Sequence, residues 1–352
     1  MRLRILLKSE SGAILLVTIW IMIILMVLAV GIGHRNRIGI NLSRFSIDKM
    51  KSYYIAKAGL LIAIQELQND IKDYDTLYEC GISLDEEETL EGVFKDIAVG
   101  DGFCSVGLEE KRNFSYGFID EERKINLNGI NAQNYKVFQN LLESLDVDSQ
   151  DAEIISNSVA DWRDSDSHIT NSPYGAEDDY YMALDKSYHC KNSRFETTEE
   201  LFLVRGMNKE IFLKIKDYIT VFPTEAFNLK LNVNTSPKLS LQALADEALS
   251  HLANVSASDA DSLVNKIIDY RSGDDKIEKT EDDKLINLAD VSGLKLLAPE
   301  ETLFNYLRKY FITKSDYFCI NSRGTYKDRK VISDIEVVLS RDELSPIYWH
   351  EQ

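Results

Sequence analysis

Twenty-one uncharged residues in succession, Ala13 to Gly33 (AILLVTIWIMIILMVLAVGIG), dominate the start of the chain. A run of that length crosses a bilayer as one helix, since about 20 apolar residues are needed. From Asn36 to Asp70 there is neither a proline nor a turn cluster, and Phe45, Met50, Tyr54, Leu61, Ile64 and Leu67 recur at roughly helical spacing. The apolar helix is therefore expected to continue unbroken into an amphipathic stem, residues 13–70, of which 13–33 are the transmembrane part.

Beyond the stem the pattern changes three times. Residues 71–92 are acidic and irregular, with four acids in a row at Asp85–Glu88. From Val93 to Asp120 the segments FKDIAV, FCSVGLEE and YGFID read as strands, punctuated by Gly92, Gly100, Gly102, Gly107 and Gly117. From Ile125 to about Tyr310 the chain reads as short capped helices. Asn131 opens one, Asp148 or Ser149 opens the next as far as Trp162, Ser236-Pro237 opens a third, and Ser258 begins one that stops at Gly273. After Tyr310 strands return as YFCI, an Arg323-Gly324 turn and KVISDIEVVLS. The fold class expected is α+β. A pilin-like N-terminal helix with a small antiparallel sheet (71–124 and 311–352) is interrupted by a large all-α insertion (125–310).

Charge then orients the chain. Arg2, Arg4 and Lys8 against Glu10 precede the apolar run, so residues 1–12 should stay cytoplasmic and the rest should be exported. A secretory signal peptide has a shorter apolar core with its cleavage site after it. Here the one signal-like site, Ser11-Gly12 before Ala13, precedes the apolar segment. Cleavage between Gly12 and Ala13 would remove the leader and keep the helix, as in type IV prepilins. An uncleaved signal anchor shares the charge pattern, but a hydrophobic helix running into an amphipathic one is similar to the stem of a pilin or pseudopilin. Counted from Ala13, the fifth residue is Val17, where most pilins carry Glu. A carboxylate in hydrocarbon needs a partner, which in a fibre is the neighbouring amino terminus. A subunit without it suits a position with no subunit above.

The chain carries a formal net charge of −18, and residues 13–352 alone carry −20. Such a body repels phosphate backbones, so a nucleic-acid partner is not expected. Cys80, Cys104, Cys190 and Cys319 allow disulfides in an exported chain, with Cys80–Cys104 the local candidate.

Candidate chemistry concentrates in one acidic loop. Asp161, Asp164, Asp166, Glu177, Asp178, Asp179 and Asp185 share it with one base, Arg163. Hard oxygen ligands from two arms of a loop suit calcium, whereas a solvated acidic loop is the plainer reading. Trp162, Tyr174, Tyr180 and Tyr181 favour a packed loop. The same acids could serve a metal-dependent transferase or an acid–base pair. No phosphate-binding glycine loop or GxSxG elbow accompanies them, and His34, His168, His189, His251 and His350 form no ligand pair. An enzyme is therefore not expected.

A second motif, Thr197 to Glu210, combines a Thr197/Glu200 capping box, a Gly206 turn and an Asn208 cap, as in a helix-hairpin-helix. Asn287–Leu297 looks like a second copy. Such hairpins can present N–H groups to DNA phosphates, which leaves a membrane-anchored binding protein of DNA-uptake type as the alternative. The acidic body favours plain packing.

In order and spacing, several segments together resemble the minor pseudopilin K family of the type II secretion system. They are SGAILLVTIW, ERKINLN (Glu122–Asn128), DWRDSD…PYGAEDDYY, FETTEELFLVRGM, LNVNTSP (Leu231–Pro237) and the closing strands. The resemblance implies an inner-membrane, single-pass protein with its body in the periplasm, cut and methylated by prepilin peptidase. It implies a place at the tip of a short pseudopilus, starting its assembly, with minor pseudopilins I and J and the major pseudopilin as partners. It also implies a structural calcium site, whose matching acids are Asp164, Asp166, Glu177, Asp178 and Asp179. The fourth cysteine and the acid-rich 71–92 segment have no place in the family pattern.

Overall fold

In a computed structural model, the structure describes residues 11–84, 89–110, 113–327 and 330–351. The leader residues 1–10 and the Asp85–Glu88 run lie outside the described residues. One helix, α1, extends from Ser11 to Asn69 with no break between the apolar run and the stem. No proline or cap interrupts it, so backbone hydrogen bonding propagates through both parts.

The burial along α1 differs from the expected stripe. Ile55, Ala56, Leu60, Ala63 and Leu67 are buried, while Phe45, Met50, Tyr54 and Leu61 stay about 60% exposed. The helix turns its small residues inward because a close approach to a sheet favours them. A Cβ on Gly59 would stand 2.5 Å from Ser322 Oγ, and one on Gly324 would stand 2.1 Å from the Ser52 carbonyl. Ser322 Oγ donates to the Ala56 carbonyl (2.7 Å), and the hydroxyls of Ser52 and Ser333 meet at 2.7 Å.

The sheet follows a short helix, α2 (Leu90–Phe94), whose N-terminus is capped by Thr89. Its strands are β1 (Ile97–Val99), β2 (Gly102–Glu110), β3 (Asn113–Tyr116) and β4 (Ile119–Asp120) before the helical segment. Two short parallel pairs lie next, β5 (Ile125–Asn126) with β6 (Ile219–Thr220) and β7 (Leu231–Asn232) with β8 (Phe311–Ile312). The sheet is completed by β9 (Tyr317–Tyr326), β10 (Val331–Ser340) and β11 (Pro346–Glu351), in the order β1-β2-β9-β10-β11, with β3 on β2 and β4 on β9. All these pairings are antiparallel. The expected Arg323-Gly324 turn is not one. Gly324 lies inside β9, paired with Ser333 and Cys104, because it supplies the space that α1 fills.

Between β4 and β9 the chain builds a second apolar core. It holds α3 (Tyr135–Ser144), α4 (Ser149–Arg163), α5 (Asp178–Met182), α6 (Lys209–Ile215), α7 (Lys238–Leu249), α8 (Ala257–Arg271) and α9 (Ala298–Leu307). Asp148 caps α4 by accepting from Gln150 N. Ser256, not Ser258, caps α8, sharing a capping box with Asp259. Thr197 and Glu200 form their capping box at the head of a 3-10 helix, Thr198–Leu203, and Asn208 caps α6. Asn287–Leu297 contains a bridge from Asn287 to Asp290 and a single 3-10 turn at Ser292–Leu294.

A buried polar network joins the two cores. Asp120 accepts from Thr235 Oγ1 (2.5 Å) and Ser315 Oγ (2.7 Å). Asp75 accepts from Ser315 N (2.7 Å), and Arg341 bridges Asp75 and Asp70 at 2.6 Å each. All four cysteines are free thiols in buried positions. The Cys80–Cys104 disulfide is therefore not formed. Cys80 belongs to the core under the loop after α1, whereas Cys104 sits on β2 beneath Gly59.

Candidate metal centre

Three carboxylates converge where α4 ends. Asp161, Asp164 and Glu177 each offer an oxygen within 4.8 Å of the others. Asp161 and Asp164 stand three residues apart at the last turn of α4, which aims both to one side. Glu177 comes from the far arm of the loop, at the position that opens α5.

Backbone donors set the shape of the loop. Asp161 is fully buried, its Oδ1 accepting from Thr170 N and its Oδ2 from Ala176 N, both at 2.8 Å. Arg205, from the turn before α6, donates to the carbonyls of Pro173 (3.1 Å), Tyr174 (3.4 Å) and Gly175 (2.9 Å). Its guanidinium also stands 4.8 Å from the Tyr180 ring centre. Trp162 and Tyr181 pack edge to face at 5.2 Å beneath the loop. The loop is thus packed at Asp161, Trp162, Gly175, Ala176, Glu177 and Tyr181, while Asp166, Asp179 and Asp185 face solvent.

The electrostatics are unbalanced. Glu177 is 4% exposed, and its carboxylate oxygens have no hydrogen-bond partner beyond the nearby Cys190 thiol, a weak donor. Burial, with Asp161 and Asp164 nearby, pushes its pKa up to about 7. Burial, then Asp166, pushes Asp164 up to about 6. Asp161 is also raised by burial, against the hydrogen bonds from Thr170 and Ala176. Arg163 does not neutralise them, since it turns to the Ala226 carbonyl (3.3 Å). A buried carboxylate without a strong donor is costly. This weakly satisfied pair of oxygens, together with an all-oxygen donor set, fits a hard divalent cation such as calcium.

The expected ligand set is partly regrouped. Asp164 and Glu177 meet, and Asp161 joins them, a partner signalled by its spacing to Asp164 on one helical turn. Asp166 is exposed and accepts from His168 N (2.8 Å). Asp178 accepts from Cys190 N (2.7 Å) and contacts the His189 ring (3.0 Å), and Asp179 is exposed on α5. Asp166 lies outside the cluster in the exposed loop after α4, where it holds His168, and Asp178 and Asp179 lie outside it on the first turn of α5, where Asp178 is held by Cys190 N and His189. Val17 lies on the exposed apolar part of α1, and Gly12 and Ala13 lie in its first turn.

A single long helix that fits a membrane anchor, clamped on an antiparallel sheet with a helical core inserted between its strands, defines a pilin-like subunit class. Residues 123–224, which include the acidic loop, match the family model of type II secretion system (T2SS) protein K. The type II secretion system protein K of Aeromonas hydrophila is 25% identical over 234 residues, 65% of this chain and 68% of that one. That of Pectobacterium carotovorum subsp. carotovorum is 33% identical over 118 residues, and the chain spans only 35% of its length. The fold is similar to a chain of the GspK-GspI-GspJ complex from the enterotoxigenic Escherichia coli type 2 secretion system. That likeness has a TM-score of 0.55 at 18% identity and covers 90% of this chain and 97% of that one. The chain is similar to type II secretion system protein K over about two thirds of its length.

Proposed function

We propose that this chain is a minor pseudopilin that caps the tip of a type II secretion pseudopilus and helps start its assembly. The observation that carries the reading is α1. Its apolar half is fully exposed for a membrane or a fibre, its stem is locked to the sheet, and Val17 stands where a pilin-type Glu would be. Without that carboxylate the helix has nothing to neutralise an amino terminus above it, so a terminal place follows.

On this reading prepilin peptidase cuts between Gly12 and Ala13 and the amino terminus is methylated. The apolar helix first holds the protein in the inner membrane with the body in the periplasm. The similarity to a chain from a GspK-GspI-GspJ complex supports minor pseudopilins I and J as neighbours, with the major pseudopilin below. Residues 13–70 act as the stem, 71–124 and 311–352 as the pilin-like part, and 125–310 as the cap. The Thr197–Glu210 segment, read as a helix-hairpin-helix, serves packing. Its Arg205 fastens the acidic loop, which supports a scaffold over a DNA-binding or enzymatic use. Asp161, Asp164 and Glu177 would hold a calcium ion that cross-links the two arms of the loop.

End-labelling tests the tip position. Gold-labelled protein should mark one end of each assembled pseudopilus, and label distributed along fibres would overturn the reading. Val17→Glu should still insert but lose its restriction to the end. N-terminal sequencing should begin at Ala13, and a mature chain starting after Gly33 would contradict the processing.

A further inference from the structure

Every residue from Ile14 to Ile47 is exposed, and Asp48 is the first on α1 to be partly covered by the body. Residues 13–47 include Arg35, Arg37 and Arg44 and no acid, while residues 48–352 carry a net charge of −23. Height along the helix decides what the arginines meet. At about 1.5 Å per residue beyond Gly33, Arg35 and Arg37 stand roughly 3 and 6 Å past the hydrocarbon edge. The headgroup layer adds roughly 5–7 Å on each side, so both lie within it. Arg44 stands about 16 Å up, on the same side of the helix as Arg37 because seven residues nearly complete two turns, and its side chain leans back toward the N-terminus. Ile38, Leu42 and Phe45 line a face separate from Arg37 and Arg44 and next to Arg35, and are 54%, 64% and 59% exposed.

The body's acids cannot serve Arg35 and Arg37. Asp48, the nearest, is one turn from Arg44 but stands about 16 Å above Arg37 along the helix, two Debye lengths of about 8 Å. On the exported flank the bases also oppose the orientation signal of Arg2, Arg4 and Lys8, so they do not serve topology. We propose that Arg35 and Arg37, supported by Arg44, bind the phosphates of anionic phospholipids in the periplasmic leaflet. The collar holds the subunit at the membrane surface while the acidic body stands clear of it. The proposal rests on α1 being a membrane anchor.

Partitioning of the full chain between two vesicle populations tests it, one of phosphatidylcholine and one of phosphatidylcholine with phosphatidylglycerol. Each cation held at an anionic surface biases binding roughly five-fold. The wild type should therefore enrich in the anionic vesicles, and Arg35→Gln with Arg37→Gln should reduce that enrichment by some twenty-fold. Lys279→Gln with Lys284→Gln, on the body, should leave it unchanged, and added salt should narrow it. Equal partitioning of an inserted wild-type chain, or enrichment that survives the double arginine change, overturns the collar alone. Release of the chain from both populations by alkaline carbonate overturns the anchor reading and the collar with it.

Discussion

Gly175 lies so close to Asp161 that a Cβ at position 175 would stand 1.9 Å from the carboxylate Oδ2. The loop can close on Asp161, and Ala176 N can reach it at 2.8 Å, because residue 175 has no side chain. Gly175→Ala should destabilise the chain by about 1–3 kcal/mol, the usual cost of overpacking. Thermal unfolding of the full chain in detergent checks it. Gly39→Ala, where nothing lies within 4 Å, should be neutral or slightly stabilising.

Calcium should stabilise the fold through the same loop. A ligand at about 100 times its Kd adds roughly 2.7 kcal/mol to the native state, so chelation should lower the melting temperature measurably. Glu177→Gln or Asp164→Ala should abolish the difference. Asp178→Asn, whose carboxylate serves Cys190 N and His189, should retain it. Melting that is identical with calcium and with chelator would remove the cation from the account.

The junction between the cores should respond to pH. Burial pushes Glu122 up to about 8 and Asp120 up to about 6. Both folded values exceed the ordinary carboxylate range, so their contribution to stability is fully present below about pH 4. It is lost as pH rises through about 6 and about 8. Glu122→Gln should flatten the decline in melting temperature between about pH 4.5 and about 8, where the folded and unfolded chains differ in protonation. An unchanged slope in the variant would assign the dependence elsewhere.

The contact of the stem with the sheet makes a harsher test. A Cβ at Gly324 would meet backbone on α1, 2.1 Å from the Ser52 carbonyl and 2.4 Å from Ala56 N. Neither atom can rotate away. Gly324→Val should cost about 3 kcal/mol or more, and limited proteolysis should cut the freed stem between about residues 48 and 69. A protease-resistant stem in this variant would show that the clamp lies elsewhere.

Much of this architecture was legible in the one-dimensional pattern. The apolar run, the absence of breakers through Asp70 and the caps at Asp148, Thr197 and Asn208 are local signals, and local hydrogen bonding obeys them. The helices of the inserted segment were also readable, but the segment is not all-α as expected: β5, β6 and β7 lie within it, pairing in parallel across long stretches of chain that no short window reveals. What the pattern could not decide is which surface a helix presents. Tyr54 and Leu61 look like core by hydrophobicity, yet Ala56, Gly59 and Ala63 are buried, because a sheet strand must come within contact of the backbone. Gly324 reads as a turn for the same reason: glycine marks tight space as well as tight bends. The acidic loop was visible as a concentration of carboxylates. Its division into Asp161, Asp164 and Glu177 on one side and Asp166, Asp178 and Asp179 on the other was not. That division follows from where α4 stops, where α5 starts and how Arg205 holds the loop between them, contacts made across the fold and absent from any short window of sequence.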